Sequence, residues 1–150
     1  MSSNNATIID ATGLILGRLA SNVAKRLLQG ENVIVMNAEK AAISGKRLQI
    51  VKAAKDFLEV GHPRKGPFHQ RRPDRIVRRT IRGMLPRQKP KGKLAYKRLK
   101  VHLGVPVEFV DKKVQTIIEA SANKLKSPYI TVGELAKEVG GWTPEVEEHV

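Results

Sequence analysis

The sequence predicts a single α/β domain built on a parallel sheet. The first forty residues read as strand, helix and strand, which is the order found in parallel α/β folds. Residues 33–36 form an unbroken apolar run between turn-prone residues, which is typical of a strand covered on both faces. The length of 150 residues fits one domain. Together these observations favour one sheet with helices packed on it.

The elements of the first half follow from hydrophobic periodicity. A β-prone run at residues 7–10 predicts the first strand. Apolar residues with helical spacing predict a helix over residues 14–29, with Thr12 placed to cap it and Gly30 to end it. Residues 46–60 predict a second helix, whose buried side carries Leu48, Val51, Ala54 and Leu58.

The second half begins with a proline- and glycine-rich loop at residues 62–72. Pro73 suits the first position of a helix over residues 74–85, and Pro86 ends it. Residues 87–93 predict a basic loop, and alternation over 97–103 predicts a strand with one apolar and one basic face. We expect a short helix within residues 112–124, and another over 132–139 introduced by the capping pattern of Thr131 and Glu134. Residues 1–5 and the acidic residues 143–150 are expected to be loose tails.

Positive charge is concentrated in one segment, residues 62–102. The chain has a net charge of +14, and this segment holds fifteen of its 28 Lys and Arg residues with one acid, Asp74, so the rest of the chain is balanced. Such clustering predicts a polyanionic partner bound on one surface of the protein, and the pI of about 10.4 points to nucleic acid. A merely solvated surface is the plain alternative. An anionic membrane is disfavoured because the segment lacks a large aromatic or leucine-rich face.

The helix at residues 74–85 separates two kinds of side chain. Its apolar face carries Ile76, Val77, Thr80, Ile81 and Met84, and its opposite face carries arginines. Arginine presents a planar fork of donors that suits phosphate oxygens. Aromatic residues make up only 4% of the chain, which disfavours stacking of single-stranded bases and favours recognition of the backbone and shape of a folded RNA.

The predicted RNA-binding residues fall into four groups. On and before the arginine-bearing helix they are Arg71, Arg72, Arg75, Arg78, Arg79 and Arg82. In the flanking loops they are Arg64, Lys65, Arg87, Lys89, Lys91 and Lys93. Around the basic strand they are Lys97, Arg98 and Lys100, and at the start of the second helix they are Lys46 and Arg47.

No catalytic, cofactor or metal site is predicted. The chain has no cysteine, and its four histidines fit no compact metal motif. Gly13 and Gly17 form neither a dinucleotide-binding fingerprint nor a phosphate-binding loop. No apolar run approaches the ~20 residues of a membrane span, and no signal peptide is evident, so we expect an intracellular protein without a membrane partner or a small-molecule substrate. A nucleic-acid-processing enzyme and a free RNA chaperone are alternatives that would use the same basic surface.

Three stretches resemble a known family, the large-subunit ribosomal protein universally numbered thirteen. They are IRGMLP at residues 81–86, Gly92-Lys93, and LKVHLG at 99–104, with further similarity at 10–21 and 33–40. Residues 66–82 resemble the archaeal and eukaryotic branch, and the lack of a long C-terminal helical extension favours an archaeal member. His102 departs from the family pattern, which has an aromatic or aliphatic residue there.

The resemblance implies more than the periodicity does. It implies a three-layer α/β/α domain around a mainly parallel sheet of about four strands, with a basic helix-loop insertion. It also implies binding to large-subunit ribosomal RNA, packing against neighbouring ribosomal proteins, a cytoplasmic location in the large ribosomal subunit, and no catalytic activity.

Overall fold

The structure is a computed structural model that describes residues 5–144. The expected tail residues 1–4 and 145–150 lie outside the described residues. In chain order the elements are β1 (Ala6–Asp10), α1 (Leu16–Leu28), β2 (Asn32–Met36), β3 (Ala42–Ser44), α2 (Arg47–Glu59), α3 (Pro73–Gly83), α4 (Pro90–Lys97), β4 (Leu99–Val101), β5 (Tyr129–Thr131) and α5 (Val132–Glu138).

The central sheet is parallel, which confirms the predicted fold class. Its strands pair in the order β1–β2–β4, and β3 and β5 form a separate antiparallel pair. On the free edge of β1, an isolated parallel bridge joins Ile9 to Gln115. Three full strands and this partial fourth one therefore stand where about four strands were expected.

The two faces of the sheet are covered unequally. Alternate strand residues such as Ile9, Val35 and Leu99 enter the main core, where the helices pack. The opposite face carries a small cluster of Ile8, Ile34, Met36 and Phe109. Phe109 ends the 3₁₀ turn Val107–Phe109. Among the described residues, this turn therefore covers the opposite face of the sheet. The thin cover leaves room for charged side chains along the rim of this face.

The start of α1 differs from its prediction. Ile15 is the N-cap residue, and Thr12 instead donates its backbone N–H and its hydroxyl to Asp10 Oδ1, at 2.9 and 2.6 Å. The buried Asn37, in a left-handed conformation, donates its Nδ2 to the same oxygen at 3.0 Å. Asp10 thus ties the carboxyl end of β1 to the residue after β2. Gly30 ends α1 as predicted, with a φ of 98°.

Because of this hydrogen-bond network, the stability of the fold depends on pH. Burial acts to raise the pKa of Asp10, but hydrogen bonds from Thr12 and Asn37 and the charge of Lys40 hold it below its ordinary value. A lowered folded-state pKa stabilises the fold above about pH 4, and that contribution is lost as the pH falls through the folded-state value. We expect Asp10→Ala to lower the free energy of unfolding by about 1–2 kcal/mol at pH 7, a range reduced for partial solvent exposure.

Urea denaturation at pH 7 and pH 3 measures this effect. The gap between the native chain and Asp10→Ala should narrow at pH 3. Asp56→Ala, which removes an exposed acid on α2, is the matched control and should change stability by less than about 0.5 kcal/mol. An equal gap at both pH values would contradict the role of the Asp10 carboxylate.

The second helix packs more loosely than predicted. The prediction that Leu48 is buried is wrong, because its side chain is 84% exposed, while Val51, Ala54 and Leu58 are half-buried. No residue of α2 is fully buried, since the helix touches the body of the protein mainly through α5. The amphipathic pattern identified a face of α2 correctly but extended it one turn too far.

The predicted loop at residues 87–93 is also wrong over half its length. Pro90 occupies the first turn of α4, where its missing N–H costs nothing, and Gly92 and Ala95 are buried. Because α4 continues to Lys97, strand β4 spans only Leu99–Val101 rather than 97–103.

The helix expected within residues 112–124 is replaced by two 3₁₀ turns, Ile118–Ala120 and Ala122–Lys124. Gln115 exchanges backbone hydrogen bonds with Ile8 and Asp10, which draws this segment alongside β1 and prevents a helix. The final helix is confirmed, although it ends at Glu138 and not at residue 139. Thr131 Oγ1 accepts the Glu134 backbone N–H at 3.2 Å, as the capping pattern predicts.

Candidate nucleic-acid interface

Helix α3 is held firmly by its apolar face. Val77 and Ile81 are fully buried in the main core, and α3 packs against α1. Pro73 stands at its start, as predicted. The prediction that Met84 lies on the apolar face of this helix is wrong, because Met84 follows the end of α3 and is 44% exposed. The predicted amphipathic character therefore holds for the helix proper, and the arginines are presented from a rigid element.

The arginines of α3 line one polar groove, called here the arginine groove. Its cavity has a volume of about 640 Å³ and is lined by Phe68, Gln70, Asp74, Arg75, Arg78, Arg79, Arg82, Tyr96 and Val101. Among the described lining residues Asp74 is the single acid, and Arg72 Nη2 lies 3.3 Å from Asp74 Oδ2. Within residues 5–144, none of the four groove arginines forms an ion pair with a carboxylate. Their charge is therefore available to an external anion.

Two neighbours orient the arginines before any ligand arrives. Arg78 Nε donates to the Tyr96 hydroxyl at 2.8 Å, and its guanidinium carbon lies 4.6 Å from the Tyr96 ring centroid. Arg75 Nη1 donates to Gln70 Oε1 at 3.3 Å. A guanidinium that is already oriented loses less conformational entropy on binding a phosphate. Sequence reasoning did not identify Tyr96 or Gln70, because neither belongs to the charge pattern.

Several predicted residues are exposed but lie outside this lining. Arg64 and Lys65 lie in the turn closed by the backbone pair of His62 and Gly66. The others are on the approach to α4 and on its first turn, namely Arg87, Lys89, Lys91 and Lys93. All six side chains are open to solvent and to a large ligand.

Other predicted residues already have partners within the protein. Arg47 lies 3.7 Å from a Glu134 oxygen and donates to Glu138, so it joins α2 to α5. Arg98 donates to the Leu27 carbonyl at 2.6 Å, and Arg71 to the Val139 carbonyl at 3.2 Å. These three arginines hold elements together. Lys46 remains exposed at the N-cap of α2.

Two predicted lysines lie on the other side of the sheet. Lys97 and Lys100 line a separate cavity of about 620 Å³, called here the lysine groove, with Asn5, Ala6, Ile8, Asn32, Ile34, Arg98, Phe109 and Lys112. The basic segment thus contributes residues to two faces of the protein, whereas its clustering in the sequence predicts a single flank. Lys112 was missed because it lies ten residues beyond that segment.

The described part of the chain shows no helix long and apolar enough to cross a bilayer. Residues 5–144 also contain no cluster of three His, Asp or Glu side chains that could hold a metal ion.

Fold and site together define a basic α/β protein with a groove suited to anions. Residues 4–108 match the family model for ribosomal protein L13, and the chain belongs to this family. The earlier resemblance is confirmed.

Three similar proteins are large-subunit ribosomal proteins of archaea. The chain is 50% identical over 136 residues to large ribosomal subunit protein uL13 of Methanosarcina barkeri, covering 89% of this chain and 97% of that protein. It is 49% identical over 139 residues to the uL13 protein of Methanocaldococcus jannaschii, with the same two coverages. The uL13 protein of Methanopyrus kandleri is 45% identical over 141 residues, covering 92% of this chain and 89% of that protein. The chain is a cytoplasmic ribosomal protein of this family rather than an enzyme.

Proposed function

We propose that the protein binds large-subunit ribosomal RNA through the arginine groove and so helps to fold and hold that RNA within the subunit. The observation that carries this proposal is the set of four α3 arginines without a carboxylate partner among the described residues. Membership of the ribosomal protein L13 family supports RNA as the anion.

The spacing of the arginines suits a nucleic-acid backbone. They occupy positions i, i+3, i+4 and i+7 of α3 and so share one face of the helix. Seven residues of helix extend about 10 Å, which is long enough to meet more than one phosphate. A small anion would use only part of this row. The groove therefore favours an extended polyanion.

The remaining predicted residues contribute in different ways. The six exposed residues of the turn at 62–66 and of the approach to α4 extend the positive surface for flexible backbone contacts. Arg47, Arg71, Arg72 and Arg98 have internal partners, so we propose that they add electrostatic attraction more than direct hydrogen bonds. Lys46 adds to the same electrostatic attraction.

Exposed apolar residues of α2, such as Phe57 and Val60, offer a surface to neighbouring ribosomal proteins.

Salt dependence tests phosphate binding. Each neutralised phosphate contributes roughly −0.7 to −0.9 to the slope of log affinity against log salt, so four bound arginines give a slope of about −3 or steeper. Filter binding with in vitro transcribed large-subunit rRNA measures this slope, and an unrelated RNA of equal length reports the non-specific part. A near-flat slope would count against phosphate binding.

In a sucrose gradient, the protein should sediment with the large subunit, whereas a free RNA chaperone should remain near the top.

A further inference from the structure

We propose that the lysine groove binds a second segment of ribosomal RNA, so that the protein bridges two segments across its sheet. The ligand class rests on the proposed function, but the site is different. Four cationic residues line it, of which Lys97, Lys100 and Lys112 are exposed and Arg98 is half-buried, and none of the described residues that line it carries a carboxylate.

Strand register separates the two grooves. Lys100 is in register with Ile34, and Ile34 with Ile8, so these three side chains form one row across the sheet. The adjacent residue Val101 points to the opposite face and lines the arginine groove. Strand β4, at the edge of the sheet, is therefore the partition between the two sites. One ligand segment cannot lie in both grooves without passing around this edge.

The lining of the lysine groove suits a phosphate backbone. Lys112 Nζ lies 5.0 Å from the Phe109 ring centroid, which holds the ammonium over the groove. Within residues 5–144, none of its three lysines forms an ion pair with a carboxylate. Asn5 and Asn32 add amide groups that can bond to sugar hydroxyls. Arg98 also lines the groove, but its guanidinium is engaged by the Leu27 carbonyl.

A protein partner fits this groove less well. Protein interfaces bind through a buried apolar or aromatic centre with few charges. Here the floor residues Ile8, Ile34 and Phe109 are only 4%, 7% and 9% exposed, so they offer little area for such a centre. The exposed residues that line the groove are Asn5, Lys97, Lys100 and Lys112, all of them polar or charged. Nucleic acid is therefore the better match.

Site-directed crosslinking tests the inference, and the absence of cysteine allows a single one to be introduced. Phe68→Cys, at an exposed position, reports on the arginine groove and Asn32→Cys on the lysine groove. Each variant is labelled with a benzophenone maleimide, bound to in vitro transcribed large-subunit rRNA and irradiated, and crosslinks are mapped by reverse transcription. We expect two sets of nucleotides from separate segments of the RNA.

The outcomes separate this inference from the proposed function. Crosslinks from Phe68→Cys alone overturn the bridge and leave the proposed function standing. Crosslinks from neither site overturn both. Crosslinks of both sites to one continuous segment show a single RNA passing around β4, which overturns bridging. Crosslinking of Asn32→Cys to a protein in whole large subunits, with none to RNA, identifies a protein interface instead.

A second measurement uses the lysines themselves. Replacing Lys97, Lys100 and Lys112 with Ala should make the salt slope shallower by about 2 and abolish crosslinks from Asn32→Cys, while crosslinks from Phe68→Cys persist. The matched control replaces the exposed Lys25, Lys52 and Lys55 of α1 and α2 with Ala, for the same change in net charge. Equal effects of the two triple variants would overturn a specific site.

Discussion

Charge reversal at Arg75 and Arg82 is expected to lower the affinity for large-subunit rRNA at least about a hundredfold. A hydrogen bond to a charged group contributes about 1.5–3 kcal/mol, so loss of two such contacts costs about 3–6 kcal/mol before repulsion by the new carboxylates is added. Each 1.4 kcal/mol corresponds to about a tenfold change in affinity. Arg78 is left unchanged in this design because it donates to the half-buried Tyr96, whereas the internal contact of Arg75 is to the exposed Gln70.

The fold should survive this double substitution. Arg75 and Arg82 lie on the side of α3 away from Val77 and Ile81, and surface changes of this kind usually alter stability by less than about 0.5 kcal/mol. Filter binding of Arg75→Glu/Arg82→Glu at fixed salt, together with thermal unfolding followed by circular dichroism, measures both quantities.

The matched control is Lys52→Glu/Lys55→Glu, which makes the same change in net charge on α2. It should retain most of the affinity, because α2 lies outside both grooves. If the control loses as much affinity as the arginine variant, net charge and not the groove determines binding. If the arginine variant unfolds, those arginines serve the structure and not a ligand.

Local patterns predicted α3 and its arginines well for a physical reason. The two faces of α3 differ strongly in polarity, and Pro73 marks its start. Residues close together in sequence are therefore enough to predict this helix and its exposed arginines. The alternation of apolar and basic residues along β4 likewise predicted that Lys100 points to the opposite face of the sheet from Leu99 and Val101. It could not show which face of the sheet the helices cover, since that depends on packing between distant segments. For this reason the two grooves were predicted as one surface.

The misplaced elements share a dependence on distant contacts. Gln115 pairs with β1, more than a hundred residues away in sequence, and this pairing overrides any local helical tendency. Leu48 is exposed because α2 finds little of the body to pack against. Pro90 looked like a loop residue in a lysine-rich stretch, although proline is also favoured at the start of a helix.

Gly92 in α4 is expected to show the largest effect of any single glycine on stability. In an isolated helix, Gly→Ala stabilises by about 1 kcal/mol. Here an added Cβ would meet the Pro86 carbonyl oxygen at 2.0 Å and the Arg87 nitrogen at 2.9 Å, and both are backbone atoms that cannot rotate away. We expect Gly92→Ala to lower the free energy of unfolding by about 3 kcal/mol, as in severe overpacking.

Gly83→Ala is the matched control for this prediction. Gly83 ends α3, and a Cβ there would meet nothing within 4 Å, so the change should be neutral or slightly stabilising. Urea denaturation compares the two variants. The close contact explains why Gly92 is buried within a helix rich in lysine: it brings the backbone after α3 against α4, and so fixes the positions of Arg87 and Lys89, for which we propose contacts to RNA. A stabilised Gly92→Ala variant would mean that this segment yields easily and that Arg87 and Lys89 have no fixed position.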